Sequence, residues 1–143
     1  MGWRRGVSKH VIAPVTDIPD GGRLATTVKG RPIVVFNRSG QFFALLDRCP
    51  HSGARLSDGL LTGLIESDGP GCSKFTRLGE IIKCPWHGWE FDIRSGQSYC
   101  SPISVKTKSY DVTIESGAAV EKGPHVAETF AVSVENNYVV LEL

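Results

Sequence analysis

No apolar run in this sequence approaches the length of a bilayer crossing, so a helical membrane span is not expected. Charge of one sign is also missing: 16 Lys and Arg stand against 15 Asp and Glu, for a net charge of +1. That balance leaves no electrostatic footprint for nucleic acid or for an anionic membrane, and a charge-guided partner would have to be met by a local patch. No internal repeat and no low-complexity tract is visible. The N-terminal stretch MGWRRGVSKHVIAPVTDIPDGG carries an arginine pair, but Lys9, His10, Pro14 and Asp17 interrupt the residues after it. Without an apolar segment after it, the arginine pair is not expected to act as an export signal, and the expected location is cytoplasmic. Cysteine is sparse, at four residues. In a reducing compartment a few cysteines grouped with histidine mark metal or catalysis more often than disulfides.

A convincing 3.6-residue apolar period of helical length is absent as well. What the chain has instead is a succession of short β-rich runs separated by turn residues. The candidates are His10–Val15, Leu24–Val28, Ile33–Phe36, Gln41–Leu46, Glu80–Lys83, Trp89–Asp92, Ser104–Lys108, Tyr110–Ile114, Phe130–Glu135 and Tyr138–Leu141. Lys29-Gly30, Arg38-Ser39-Gly40, Arg94-Ser95-Gly96 and Asn136-Asn137 signal the turns, the last of these predicting a tight hairpin between the final two strands. Many short strands at close spacing in 143 residues predict one small all-β domain, a sandwich or barrel. Two segments, Leu60–Gly79 and Ser116–Glu128, are rich in Gly, Ser and charge and read mainly as loops.

The chemistry is concentrated in two short motifs. Cys49 to Leu56 reads CPHSGARL, and Cys84 to Asp92 reads CPWHGWEFD. Each supplies one Cys and one His, spaced C-x-H and C-x-x-H. Two thiolates and two imidazoles suit a tetrahedral zinc site, and they also suit a [2Fe–2S] cluster in which two His replace two Cys on one iron. Zinc fingers group their ligands differently and in a smaller unit, which favours the cluster. Pro50 and Pro85 each follow a cysteine and restrict the loop there. Gly53 and Gly88 follow the histidines at short distance, where backbone must curl closely.

Together, CPHSGARL, CPWHGWEFD and the all-β patterning resemble the Rieske [2Fe–2S] family over roughly Val28 to Ile114. CPWHGWEFD is especially similar to soluble Rieske-type ferredoxins and to the Rieske domain of ring-hydroxylating oxygenases. The resemblance implies an all-β, Rieske-like antiparallel sandwich or barrel. One domain would fill residues 1–143, with a cluster-binding subdomain of two loops at about 47–103 on a base built from the flanking segments. It implies one [2Fe–2S] cluster per chain, with Cys49 and Cys84 on one iron and His51 and His87 on the other. It further implies a one-electron carrier, not an enzyme, working from a flavin-dependent reductase to a terminal oxygenase. The rival readings are a detached Rieske subunit of a multicomponent oxygenase and a redox-sensing protein. Self-contained oxygenation would need a mononuclear iron triad, and only His10 and His125 remain outside the motifs.

Several positions depart from relatives in respiratory complexes. Those carry an extra loop disulfide where this chain has Ala54 and Trp86. They place Ser and Tyr hydroxyls near the cluster where this chain has Trp89 and Phe91. Missing hydroxyl donors predict a reduction potential toward the low end of the family range of roughly −150 to +300 mV. The gap from His51 to Cys84 holds 32 residues, longer than the family's usual spacing, with Asp68-Gly69-Pro70-Gly71 as its turn and Leu60–Ile65 facing Glu80–Lys83. Cys72 and Cys100 match no ligand position and read as non-ligands. Pro102 falls where the family has a third, proline-containing loop. Arg48, Arg55, Lys83 and Arg94 flank the motifs as basic surface. His10 and His125 read as surface or edge residues.

Overall fold

The computed structural model describes residues 8–50, 53–67, 73–85, 89–98, 107–122 and 136–143, with side chains described at all of these except 64–67, 73–78 and 121–122. Ten strands are seen among them: β1 (Lys9–Pro14), β2 (Arg23–Val28), β3 (Arg31–Arg38), β4 (Gln41–Leu46), β5 (Leu60–Ser67), β6 (Ser73–Lys83), β7 (Glu90–Asp92), β8 (Ser109–Tyr110), β9 (Val112–Ser116) and β10 (Asn137–Glu142). One short helix, α1, covers Gly117–Lys122. The strands form three antiparallel sheets, ordered β1-β10-β9, β2-β3-β4-β8 and β5-β6-β7. The fold is all-β, as the strand-and-turn pattern implied.

Burial shows how the layers stack. In β3, Val34 and Phe36 pack into one apolar cluster while Ile33 and Val35 pack into another. Successive side chains of a strand point to opposite faces, so this strand is covered on both sides. In β4, Leu45 and Phe43 join the first cluster, and Phe42 and Ala44 the second. The β2-β3-β4-β8 sheet is therefore the middle layer. One side meets Val139 and Leu141 of β10; the other meets Ile82 of β6, Phe91 of β7 and both described cysteines. The outer face of β10 carries Tyr138 and Val140, which pack with Val11 and with Val120 of α1.

Two hairpins match their turn residues directly. Lys29 and Gly30 take φ of 50° and 75°, and Ser39 and Gly40 take 54° and 85°. Positive φ at both central residues is what a type I′ hairpin requires, and it matches the twist of the flanking strands. Gly40 N–H is also held by Asn37 Oδ1 at 2.9 Å.

Elsewhere the structure corrects the sequence reading. Leu60–Gly79 is not mainly loop: β5 and β6 pair from Leu60↔Lys83 out to Ser67↔Ser73. The Leu60–Ile65 and Glu80–Lys83 pairing suggested by the turn is present, and it continues further than the turn alone implied. Regular alternation fails there because of an irregularity between Thr62 and Leu64, where Gly63 stands against residues 77–80 of β6 and Gly79 has φ +79°. Within Ser116–Glu128, read as loop, residues 117–122 are helical. Ser116 Oγ accepts the Ala119 N–H at 3.2 Å, a side-chain cap, and burial of Val120 anchors a helix too short to show a period.

Tyr110–Ile114 is broken at Asp111 into β8 and β9, which belong to different sheets. Residues 107–108 of the expected strand Ser104–Lys108 are not strand, and 104–106 lie outside the described residues, as does Phe130–Glu135. Asn137, expected in a turn, begins β10 and pairs with Ser116. His10 is on an edge strand, as expected, but it is buried rather than exposed, with Ser8 Oγ 2.7 Å from its Nε2. Among the described residues no helix is long and apolar enough to cross a membrane.

Candidate metal centre

Two cysteines follow two strands that contribute to the same apolar cluster. Cys84 directly follows β6, and Cys49 lies three residues past the end of β4. Both are nearly inaccessible, at 1% for Cys49 and 2% for Cys84, and both belong to the cluster of Val34, Leu45, Ala54, Leu56, Ile82 and Phe91. Each loop is closed in the same way. Cys49 N–H donates to the Ala54 carbonyl at 2.7 Å, and Cys84 N–H donates to the Trp89 carbonyl at 2.7 Å, five residues ahead in both cases. The first loop is tied a second time by Gly53 N–H to the Cys49 carbonyl at 2.8 Å, with Gly53 at φ +78°. The backbone curls closely at Gly53, as expected, and does so in a left-handed conformation that glycine adopts without steric cost.

His51, Trp86, His87 and Gly88 lie outside the described residues, as do Cys72, Cys100, Pro102 and His125. Accordingly, no group of three or more His, Cys, Asp or Glu is assembled among the described residues. The structure brings together two of the four expected ligands, as buried thiols at the heads of matching loops. The donor set fits a cluster taking two thiolates, and burial in apolar surroundings suits a redox site kept from solvent.

The loops are held by residues that motif spacing alone does not reveal. Asp47, buried, accepts the Ser57 N–H at 2.7 Å and the Ser57 Oγ–H at 2.6 Å. Thr107, also buried, donates to the Leu46 carbonyl at 3.2 Å, which fixes the exit of β4. Gly59 lies against the strand residue that precedes Cys84: a Cβ there would sit 2.0 Å from the Lys83 carbonyl oxygen. Gly96 is pressed equally closely on Thr107, at 2.1 Å from its carbonyl oxygen. Asp47 to Ser57 spans ten residues and Gly96 to Thr107 eleven, so neither partnership follows a helix or strand period. The local signal that sequence reasoning missed is the Leu56-Ser57-Asp58-Gly59 run, whose first three residues form a single 3-10 turn.

Trp89 and Phe91 face the same cluster, as their two-residue spacing implied, with Phe91 fully buried and Trp89 partly so. Arg48, Arg55, Lys83 and Arg94 are exposed. Arg55 pairs with Asp47 at 3.5 Å, and Arg94 pairs with Glu80 at 3.4 Å while lying over the Phe43 ring.

A family model described as the Rieske [2Fe–2S] domain matches residues 8–111. The chain belongs to the Rieske [2Fe–2S] family. It is 32% identical over 99 residues, 69% of this chain and 80% of the relative, to the ferredoxin component of the naphthalene 1,2-dioxygenase system of Pseudomonas aeruginosa. It is 31% identical over 112 residues, 78% of this chain and 90% of the relative, to the ferredoxin subunit of 3-phenylpropionate/cinnamic acid dioxygenase of Photorhabdus laumondii. Among solved structures, the Sphingomonas yanoikuyae B1 ferredoxin matches with a TM-score of 0.57 at 31% identity, over 76% of this chain and 91% of that one. The Rieske chain is therefore a ferredoxin-type electron-transfer component that carries a [2Fe–2S] cluster, and not a catalytic subunit.

Proposed function

We propose that this Rieske ferredoxin holds its cluster through Cys49, His51, Cys84 and His87, and passes single electrons from a flavin-dependent reductase to a terminal oxygenase in the cytoplasm. The observation that carries the ligand assignment is the matched pair of loops, each headed by a buried cysteine and closed by the same hydrogen bond to the residue five ahead. In each, a histidine follows two or three positions after the cysteine, inside the closed loop. A [2Fe–2S] cluster supplies reversible one-electron chemistry, and neutral imidazoles in place of two thiolates make it easier to reduce.

The chain's own contribution is positioning and exclusion of water. Ala54, Leu56, Ile82, Phe91 and Ile93 share one buried apolar cluster with the two cysteines, which keeps the dielectric low on the base side. Pro50, Gly53 and Pro85 are exposed, so the far side of both loops faces solvent. An electron would enter and leave there. The ferredoxin relatives serve dioxygenase systems, which supports an oxygenase as acceptor. The two apolar clusters share β3 and β4, which supports one domain over the whole chain, with residues of about 47–103 forming its cluster-binding part.

The test is optical absorption and EPR of anaerobically purified protein before and after dithionite. Reducible absorption with the low average g value of a His-ligated cluster is the expected result, abolished in Cys49→Ser and Cys84→Ser. A colourless, EPR-silent protein holding one zinc would overturn it.

A further inference from the structure

Asp47 ends β4's extension two residues before Cys49, and its N–H is anchored on the Pro32 carbonyl of β3 at 2.8 Å. Its side chain is entirely inaccessible, at 0% exposure. A buried carboxylate is costly unless its oxygens are satisfied. Here both are: Oδ1 accepts the Ser57 N–H at 2.7 Å, Oδ2 accepts the Ser57 Oγ–H at 2.6 Å, and Arg55 Nε lies 3.5 Å from Oδ2. Ser57 lies in the 3-10 turn just beyond the loop, so one carboxylate joins the two ends of the segment that carries Cys49 and His51.

This arrangement does two separable things. It closes the neck of the loop with two short hydrogen bonds, and a loop closed at its neck has fewer conformations to lose when it takes up a metal. It also places a buried carboxylate two residues along the chain from the buried Cys49, where solvent does not reach and screening by salt is weak. The balancing charge on Arg55 is more than half exposed, at 59%, and is therefore more strongly screened. The charge of Asp47 is the better felt of the two, and a fixed negative charge disfavours an added electron.

We infer that Asp47 is a positioning residue for the first cysteine loop and that the Asp47–Arg55 pair sets part of the cluster's reduction potential, with Asp47 holding it down. This rests on the ligand set proposed above. Ser57, which takes no part in the charge, serves the positioning alone.

The holoprotein is titrated spectroelectrochemically as the parent, Asp47→Asn, Arg55→Gln, Ser57→Ala and Ser57→Thr. Asp47→Asn keeps the shape, removes the charge and shifts the equilibrium toward the reduced cluster by roughly three- to tenfold, tenfold being about 59 mV for one electron. Arg55→Gln shifts it the other way, by less than about threefold. Ser57→Ala leaves the midpoint in place but shortens the time the cluster survives in mild urea, and Ser57→Thr restores it. Simple loosening of the loop would move Asp47→Asn and Arg55→Gln in the same direction. That result, or an Asp47→Asn midpoint equal to the parent's, overturns the inference. Should Asp47→Asn fail to hold the cluster, the sign of the Arg55→Gln shift decides, an upward or null shift refuting it. A parent that binds no cluster would instead overturn the ligand assignment, whereas a coloured parent with unmoved variants overturns only the role of Asp47.

Discussion

Replacing Gly59 by alanine tests how the two cysteine loops are brought together. Gly59 has φ −82° and ψ −178°, an extended conformation open to any residue, so backbone strain does not enter. The constraint is contact. A Cβ would lie 2.0 Å from the Lys83 carbonyl oxygen and 3.1 Å from that of Leu56, whereas ordinary contact begins near 3.4 Å. Relief of the first overlap alone needs more than an ångström of movement, and the carbonyls of Lys83 and Leu56 that the carbon meets both belong to backbone. Neither side gives easily: Gly59 is tied by its N–H to Leu56 and by its carbonyl to Arg23, and Lys83 is paired with both Leu60 and Glu90. Overpacking of this kind costs about 1–3 kcal/mol. For a chain of this size that is a fall in melting temperature of roughly 3–10 °C. Because Lys83 adjoins Cys84, the displacement also reaches the cluster, and visible circular dichroism should fade ahead of the far-ultraviolet signal on heating. Gly30→Ala is the control: its φ is +75° and nothing lies within 4 Å of the added carbon, so it costs about 1 kcal/mol at a distant hairpin and spares the cluster. A Gly59→Ala protein that melts within a degree of the parent and keeps its cluster signal would refute the reasoning.

The remaining expectations concern potential and the long hairpin. Without hydroxyls at Trp89 and Phe91, the midpoint should fall toward the low end of roughly −150 to +300 mV, and a value well above 0 mV in a redox titration would contradict this. Phe91 is fully buried in the cluster that holds both cysteines, so Phe91→Tyr places a new donor at the site. With about 1–2 kcal/mol for a bond that favours the charged form, the midpoint should rise by roughly 40–90 mV, and an unchanged value would mean that no hydroxyl reaches sulfur. Joining Gly63 to Gly79 through a short turn removes residues 64–78 but leaves Ile81–Lys83 paired with both β5 and β7. Cluster content and midpoint should match the parent's, and loss of the cluster would show that the outer hairpin supports the site.

Much of this protein was decided locally and could be read along the chain. The two motifs, the hairpin turns at Lys29-Gly30 and Ser39-Gly40, the close curl of backbone at Gly53 and the shared face of Trp89 and Phe91 all depend on neighbours a few residues apart. Backbone preferences and side-chain chemistry act over that range, so residue types in order suffice. The boundaries of β6 and α1 were not legible for the opposite reason. β6 runs through a bulge that breaks the alternation, and α1 owes its turn to Val120 packing on Tyr138 and Val140, which belong to the last strand. Nor could the order of residues say that Asp47 would reach Ser57, that Gly59 would touch the carbonyl before Cys84, or that β3 would be covered on both faces. Those partners are joined by burial of the middle sheet, and apolar burial is non-directional: it states how much surface must leave water, and only the packed layers settle which atoms meet.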